Sequence, residues 1–395
     1  MRRALVIDSG LANPGGGTCV AAYTLQTLRE EFEVTLLTWE PVDFGPVNAA
    51  FGTMLEPTDF RLLRVPDLWR RALRMTPLPL ALLSGSLLQR RARALLRRER
   101  FDLVISTTNE IDVGVRAIQY IHFPWNYFPR PDLEYRWYHV RPLLNFYRET
   151  AIALSGATDR GIARNETLVN SAWTGRRFED WYGVPARVLH PPVPIDREPP
   201  AWAQRANAFA CVGRMSPEKN VEGVIDILSK VRARGHPISL AICGQRQVPD
   251  YERHILSAAA PHPDWISISL DLPRAELIDR VARCRFGIHG MVGEHFGIAV
   301  AEMLRLGCVC FVPADGGPAE ILGNDPALLY ENPDDAVDKI CRLIEDSTAL
   351  TAARERLESR ASMFSAERFA AELRKICAEF VARGGAGDSS AKSKI

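Results

Sequence analysis

The chain has 395 residues, 47% of them hydrophobic and 25% charged, with a formal net charge of +1. That length calls for two domains of ordinary size, and the composition is that of a soluble globular chain. The near-zero charge gives no electrostatic footprint for nucleic acid, which is excluded as a partner.

Apolar runs alternate with helical patterns twice along the chain, which predicts parallel sheets flanked by helices. Arg3–Asp8 reads as a first buried strand, not a signal peptide, because Asp8 and Ser9 interrupt it. The glycine run Gly15-Gly16-Gly17-Thr18 leads into a helix reaching about Arg29, and Glu33–Thr38 is the next strand. Between Arg61 and Arg100 stand eleven arginines against Asp67 and Glu99, around an apolar stretch Met75–Leu88 too short to span a bilayer. Two readings stay open there: an arginine-faced helix pair, or a basic and apolar segment resting on an anionic membrane surface through 61–100. Asp102–Ser106, Ala117–Ile121 and Thr167–Asn170 continue the strand series. Leu189–Pro200 holds five prolines, which continue neither a helix nor an interior strand, so the linker is placed there.

The pattern then restarts, with strands at Ala208–Val212, Ile238–Cys243, Trp265–Ile268, Arg285–His289 and Cys308–Val312. Helices are expected over Val221 to about Arg234 and over Gly297–Leu306, with a last amphipathic helix at Ala366–Val381. The expected domains are 1–190, a linker at 191–205, 206–365, the C-terminal helix 366–382 crossing back to the first domain, and a disordered tail 383–395. Eight scattered cysteines show no metal-type spacing and read as reduced core residues in a cytosolic protein.

Ligands of such sheets bind outside the carboxyl ends of the strands. The sharpest motif falls at such an end: Glu294-His-Phe-Gly-Ile-Ala-Val-Ala-Glu302. Glu294 lies in the loop after a strand, and Gly297 opens the helix that carries Glu302. Backbone N–H groups at that helix start offer a phosphate site. The two carboxylates can grip hydroxyls at the two ends of a diphosphate-linked ligand. A lone pair of glutamates at this spacing is ordinary; His295-Phe296-Gly297 between them makes it a motif. The glycines at 15–17 admit a rival dinucleotide fingerprint with Glu40 as ribose binder, but that spacing needs Gly or Ala where Val20 stands.

Gly293–Glu302 resembles the E-x7-E signature of the retaining glycosyltransferases of family 4. More narrowly, Gly293-Glu-His-Phe-Gly-Ile298, Gly316-Gly-Pro-Ala-Glu320 and Tyr120-Ile-His-Phe-Pro124 resemble the mannosyltransferases that extend the dolichol-linked oligosaccharide core. The resemblance is strongest over residues 205–325. It implies an α/β chain of GT-B fold: two Rossmann-like domains with parallel sheets facing each other across a cleft.

The same resemblance implies roles. Glu294 would bind hydroxyls of the donor sugar, with His295 and the amides of Phe296 and Gly297 beside it. The Ile298 N–H would meet a phosphate, and Glu302 the ribose hydroxyls. Gly213-Arg214 and Lys219-Asn220 match the segment whose two cations bind the pyrophosphate, where fixed positive charge stabilises the departing nucleoside diphosphate. Gly244 would line the base pocket. Gly16 and Gly17 would face the donor phosphates and acceptor, and His122 the anomeric region of the sugar. The catalytic set is thus His122, Arg214, Lys219 and Glu294.

The implied reaction retains configuration by a front-face route, without metal or other cofactor. No Asp-x-Asp pair occurs in the chain. The expected donor is a nucleotide-sugar, GDP-mannose before UDP-sugars, and the acceptor a glycan or lipid-linked hydroxyl. The expected location is cytoplasmic, peripheral on the inner face of the membrane. The alternatives are another GT-B enzyme, such as a nucleotide-sugar epimerase or a sugar-phosphate synthase, and a non-catalytic nucleotide-sugar-binding protein.

Overall fold

Short apolar runs, each followed by a helix, build two parallel sheets. The computed structural model describes residues 1–12, 15–75, 80–125 and 141–387. Of the tail 383–395 expected to be disordered, Gly385–Gly387 instead form a short helical turn, with Ala386 buried and its N–H donating to Asp102 O at 3.2 Å; its remainder, 388–395, and the 76–79 part of the apolar stretch lie outside the described residues. Contacts divide the chain between Pro192 and Val193; the described residues from Ala366 onward join the first unit, and Val193–Ser365 form the second.

In the first unit the strands are Arg2–Asp8 (β1), Phe32–Thr38 (β2), Phe60–Arg64 (β3), Leu103–Ser106 (β4), Ile118–Ile121 (β5), Glu166–Val169 (β6) and Arg187–Val188 (β7). They lie in the order β3-β2-β1-β4-β5-β6-β7, every neighbour parallel. A parallel sheet is covered on both faces, so its strands are apolar throughout. Ala4 and Val6 enter the core on one face, Leu5 and Ile7 that on the other, and all four are fully buried. The first face is covered by the helix Gly16–Leu28 and the helix Ala366–Ala382, which inserts Phe369, Leu373, Ile376 and Phe380. Leu83, Leu88, Ala92 and Leu95 of the helix Leu80–Leu96 cover the second.

The arginine-rich segment begins as a strand rather than as a helix. β3 pairs with β2 at the sheet edge, Val34 opposite Phe60 and Thr38 opposite Arg64, and an edge strand tolerates arginine on its open side. Arg61 and Arg3 both bond Glu99 and hold its carboxyl down at about 2. Arg70 pairs with Glu40 and Asp67, and Arg93 with Asp112. Arg64, Arg71, Arg90, Arg97, Arg98 and Arg100 are exposed. The segment thus divides between arginines tied into the fold and arginines facing solvent. Among the described residues no helix is long and apolar enough to cross a membrane.

The second unit has Ala206–Arg214 (β8), Ser239–Gln245 (β9), Ile266–Leu270 (β10), Cys284–Ile288 (β11), Val309–Pro313 (β12) and Leu329–Tyr330 (β13). Their order is β10-β9-β8-β11-β12-β13, again all parallel. Strand order reverses between β1 and β4 in one sheet and between β8 and β11 in the other, the places where open α/β sheets leave a crevice for ligands.

All eight cysteines are buried and free. Burial pushes the thiols of Cys211, Cys284 and Cys377 up to about 12 and that of Cys243 to about 11. Because the thiolate is the reactive form, the native protein is expected to resist an aromatic disulfide reagent and the denatured chain to release all eight thiols. Fast labelling of the native protein would contradict this packing.

Candidate functional site

The site in the second unit starts at the end of β8. After Arg214 the chain makes a short turn, Pro217–Lys219, and Asn220 follows with φ +49°. The Asn220 carbonyl oxygen of the side chain accepts from Gly223 N at 3.2 Å, capping the helix Val221–Ala233, while Nδ2 donates to Gly290 O at 3.3 Å. Gly290, two residues past β11, lies so close that a Cβ there would stand 2.6 Å from Asn220 O and 2.9 Å from Lys219 O. The backbone of Lys219 is thereby locked to the chain leaving β11. Its stem passes Gly213, where an added carbon would sit 3.7 Å from Cγ and Cδ.

Lys219 Nζ pairs with Glu294 Oε2 and lies 3.4 Å from Met291 Sδ. His289 Nε2 stands 3.4 Å from the same carboxylate oxygen. Burial alone would raise the Glu294 carboxyl, but the Lys219 charge and the nearby His289 outweigh it and hold the group well below the usual range. His289 is 4% exposed, and its Nε2 has no hydrogen-bond partner among the described residues. At 3.4 Å the Glu294 contact is electrostatic rather than a formed hydrogen bond. A buried ring nitrogen left so costs roughly 1–3 kcal/mol. His289 carries no motif of its own; only its place at the end of β11 could have drawn notice.

The Glu294 loop is clamped by the second glycine motif. Gly293 N donates to Asp315 O at 2.9 Å, and Gly317 N to Glu294 O at 2.7 Å. Gly316 has φ +141°, and a Cβ there would lie 3.1 Å from Glu294 O. Gly297 has φ +93° and is the N-cap of the helix Ile298–Arg305, with no side chain capping the first amides. Those amides form a positively polarised helix start beside Glu294. The Phe296 side chain is core, 3% exposed and packed on Phe364 at 5.9 Å between ring centres.

The remaining expected residues divide. Glu302 is tied to Arg274, which donates at 2.5 Å and whose other nitrogen reaches Pro194 O at 3.3 Å. Arg274 was not expected from the sequence, since one arginine at a helix start carries no signal. Arg214 pairs with Glu218 at 3.4 Å and is 49% exposed. A Cβ on Gly244 would lie 2.4 Å from Met215 Cε and 3.1 Å from Leu270 Cδ2, so side-chain packing demands glycine there. Among the described residues, no three His, Cys, Asp or Glu side chains gather as a metal site would need.

In the first unit, His122 follows β5 and is brought to the glycine loop. A Cβ on Gly17 would stand 3.5 Å from His122 Nε2, and Gly16 opens the helix Gly16–Leu28. His122 Nε2–H donates to Thr107 O at 2.9 Å, which assigns the proton to that nitrogen. Asn109, with φ +67°, accepts from the His122 amide at 2.7 Å, and Asn170 Nδ2 donates to His122 O at 2.8 Å. Thr107 in turn donates to Asp8 at 2.6 Å; burial raises the Asp8 carboxyl against these bonds. Ser171 caps the helix Ala172–Tyr182, accepting from Thr174 N at 3.1 Å.

Residues 193–363 match the family described as Glycosyl transferases group 1. The GDP-Man:Man(3)GlcNAc(2)-PP-Dol alpha-1,2-mannosyltransferase of Candida glabrata is 27% identical over 172 residues, which cover 38% of this chain and 33% of that protein. The Homo sapiens protein of that name is 24% identical over 224 residues, 51% of this chain and 44% of that one. The aligned chain thus spans less than half the length of these relatives. Sucrose-phosphate synthase from Thermosynechococcus elongatus has a TM-score of 0.68 at 13% identity, covering 97% of this chain and all of its own. Anabaena HepE, in complex with UDP and glucose, has a TM-score of 0.64 at 13% identity, over 96% of this chain and 100% of that one. These two likenesses are of fold, and the fold is GT-B. The unit that carries Lys219, Glu294 and Glu302 is thus the part of the chain that is similar to the group 1 glycosyl transferases.

Proposed function

We propose that this protein moves a sugar from a nucleoside diphosphate sugar to a hydroxyl acceptor, with retention of configuration and without a metal. The observation that carries this reading is the Lys219–Glu294 pair at the point where strand order reverses. It sets a cation for a diphosphate directly beside a carboxylate for sugar hydroxyls. Arg214 supplies a second cation, and the Ile298 amide at the glycine-capped helix start supplies a neutral donor. Glu302, further along that helix, takes the ribose hydroxyls. Phe296 and Gly297 contribute amides, His295 adjoins them, and Gly213 and Gly244 stand near the carboxyl ends of β8 and β9, where the nucleotide would rest. In the first unit His122, Gly16 and Gly17 serve the sugar and acceptor.

In the proposed step the bond from the anomeric carbon to the diphosphate oxygen breaks, and the acceptor oxygen bonds that carbon on the same face. The acceptor proton passes to the departing phosphate oxygen. The protein positions the partners and stabilises the growing negative charge with Lys219 and Arg214, a task that needs no metal. The relatives named for GDP-mannose favour that donor before UDP-sugars, and a glycan or lipid-linked acceptor. Purified protein is expected to release nucleoside diphosphate from a sugar nucleotide of one base, with EDTA making no difference. No release from any donor, or loss of release with EDTA, would overturn the reading.

A membrane-surface location is part of the proposal. Exposed Arg64, Arg71, Arg90, Arg97 and Arg98 lie in the same segment as Leu68 and Met75, which are 75% and 86% exposed. Replacing Arg71, Arg97 and Arg98 by Gln is expected to weaken binding to anionic vesicles by about 3 kcal/mol, at ~1 kcal/mol per charge, and to leave donor affinity unchanged. Wild-type protein that ignores such vesicles would contradict it.

A further inference from the structure

We infer that His289 is a positioning residue for the donor sugar: it holds the Glu294 carboxylate once Lys219 is drawn onto the diphosphate. The inference rests on the reading of this unit as the donor site. His289 lies one residue past β11, and its backbone is pinned from both sides. Its N–H donates to Phe311 O at 3.0 Å, and the Tyr330 hydroxyl donates to its carbonyl. The ring is buried, yet its Nε2 has no hydrogen-bond partner among the described residues.

Buried polar atoms are almost always satisfied. An exception beside a site points to a bond made in another state of the protein. An acceptor stands close by, Glu294 Oε2 at 3.4 Å, the oxygen that Lys219 now holds. Closing that gap to an ordinary hydrogen bond takes a movement of only roughly 0.5 Å. A diphosphate competes for the Lys219 ammonium. As Lys219 turns toward it, Glu294 loses its present partner and moves onto His289. The carboxylate then stays aimed for the sugar hydroxyls instead of following the lysine. Nucleoside diphosphate alone calls on Lys219; only the sugar depends on where Glu294 points.

The test uses full-length protein and two variants, His289→Leu and His289→Gln, with calorimetric affinities for the nucleoside diphosphate and for its sugar conjugate. His289→Leu is expected to bind the diphosphate like wild type and to lose about tenfold in affinity for the sugar nucleotide, the scale of one hydrogen bond. His289→Gln, which keeps a donor, is expected to recover most of that loss. Equal binding of the sugar nucleotide by His289→Leu overturns the proposal, as does an equal loss for both ligands. Should His289→Leu not fold, nitrogen NMR of histidine-labelled wild type decides: the His289 Nε2 resonance is expected to move when nucleoside diphosphate binds, and an unmoved resonance overturns the proposal. Wild-type protein that binds no nucleotide at all overturns the donor-site reading, and this inference with it.

Discussion

Replacing Lys219 by Ala is expected to lower turnover at least ~100-fold, the usual scale for removing one preorganised charge-stabilising group. The physical reason is the charge that builds on a departing diphosphate, which a fixed ammonium meets without reorganisation. The same variant has a second, independent signature. In the wild type the Glu294 carboxyl is held below its ordinary value, so its contribution to stability is present above the unfolded pKa and lost as pH falls. Without Lys219 the depression is weakened, because burial, which favours the protonated form, is then opposed by His289 without the lysine. The variant is therefore expected to be less stable than wild type at pH 7, with the gap narrowing as pH falls below the unfolded value of about 4 and closing only when the wild-type folded carboxyl, held well below that, protonates as well. Activity and stability profiles together separate a lost site from a lost fold. Near-normal turnover in Lys219→Ala would sink the assigned role.

Gly317→Ala is expected to be nearly as damaging, although the residue presents no side chain to any ligand. An added Cβ would fall 2.3 Å from His295 O and 2.7 Å from Phe296 Cα. Both neighbours are backbone, so no flexible side chain can yield, and the 294–297 loop itself must move. Overpacking of this kind costs roughly 1–3 kcal/mol. A displacement near 1 Å in a positioning loop costs turnover about 100-fold. The check is thermal melting beside kinetics: the variant should fold, melt lower and turn over poorly. A variant with wild-type kinetics would show that the clamp between the two glycine motifs is unnecessary for activity.

Much of this fold could be read from the sequence because parallel strands buried on both faces are apolar throughout. Arg3–Asp8, Glu33–Thr38 and Ala208–Val212 each announce themselves that way. β7 and β13 were missed for the opposite reason: strands of two residues have no periodicity to detect. β3 was hidden by its arginines, which an edge strand accepts and a central strand does not.

The site divides along a similar line. Lys219 and Glu294, far apart in sequence, were both expected, and they meet as an ion pair. The two glycine motifs were read separately, and the structure explains their company: Gly316 and Gly317 exist to let one loop lie against the other. What could not be read was partnership. Nothing in the chain's spacing foretells Arg274 on Glu302, Thr107 under His122 or His289 beside Glu294. Each depends on which strand ends the sheet order brings together, and that order is not written locally.

The most direct test of the central claim is a thermal-shift comparison of wild type with Glu294→Gln and Glu302→Gln. It uses GDP-, UDP-, ADP- and TDP-sugars, with and without EDTA. The account predicts stabilisation of wild type by sugar nucleotides of one base, unchanged by EDTA and strongly reduced in both variants. Absence of stabilisation by every donor, or equal stabilisation of wild type and both variants, would contradict it.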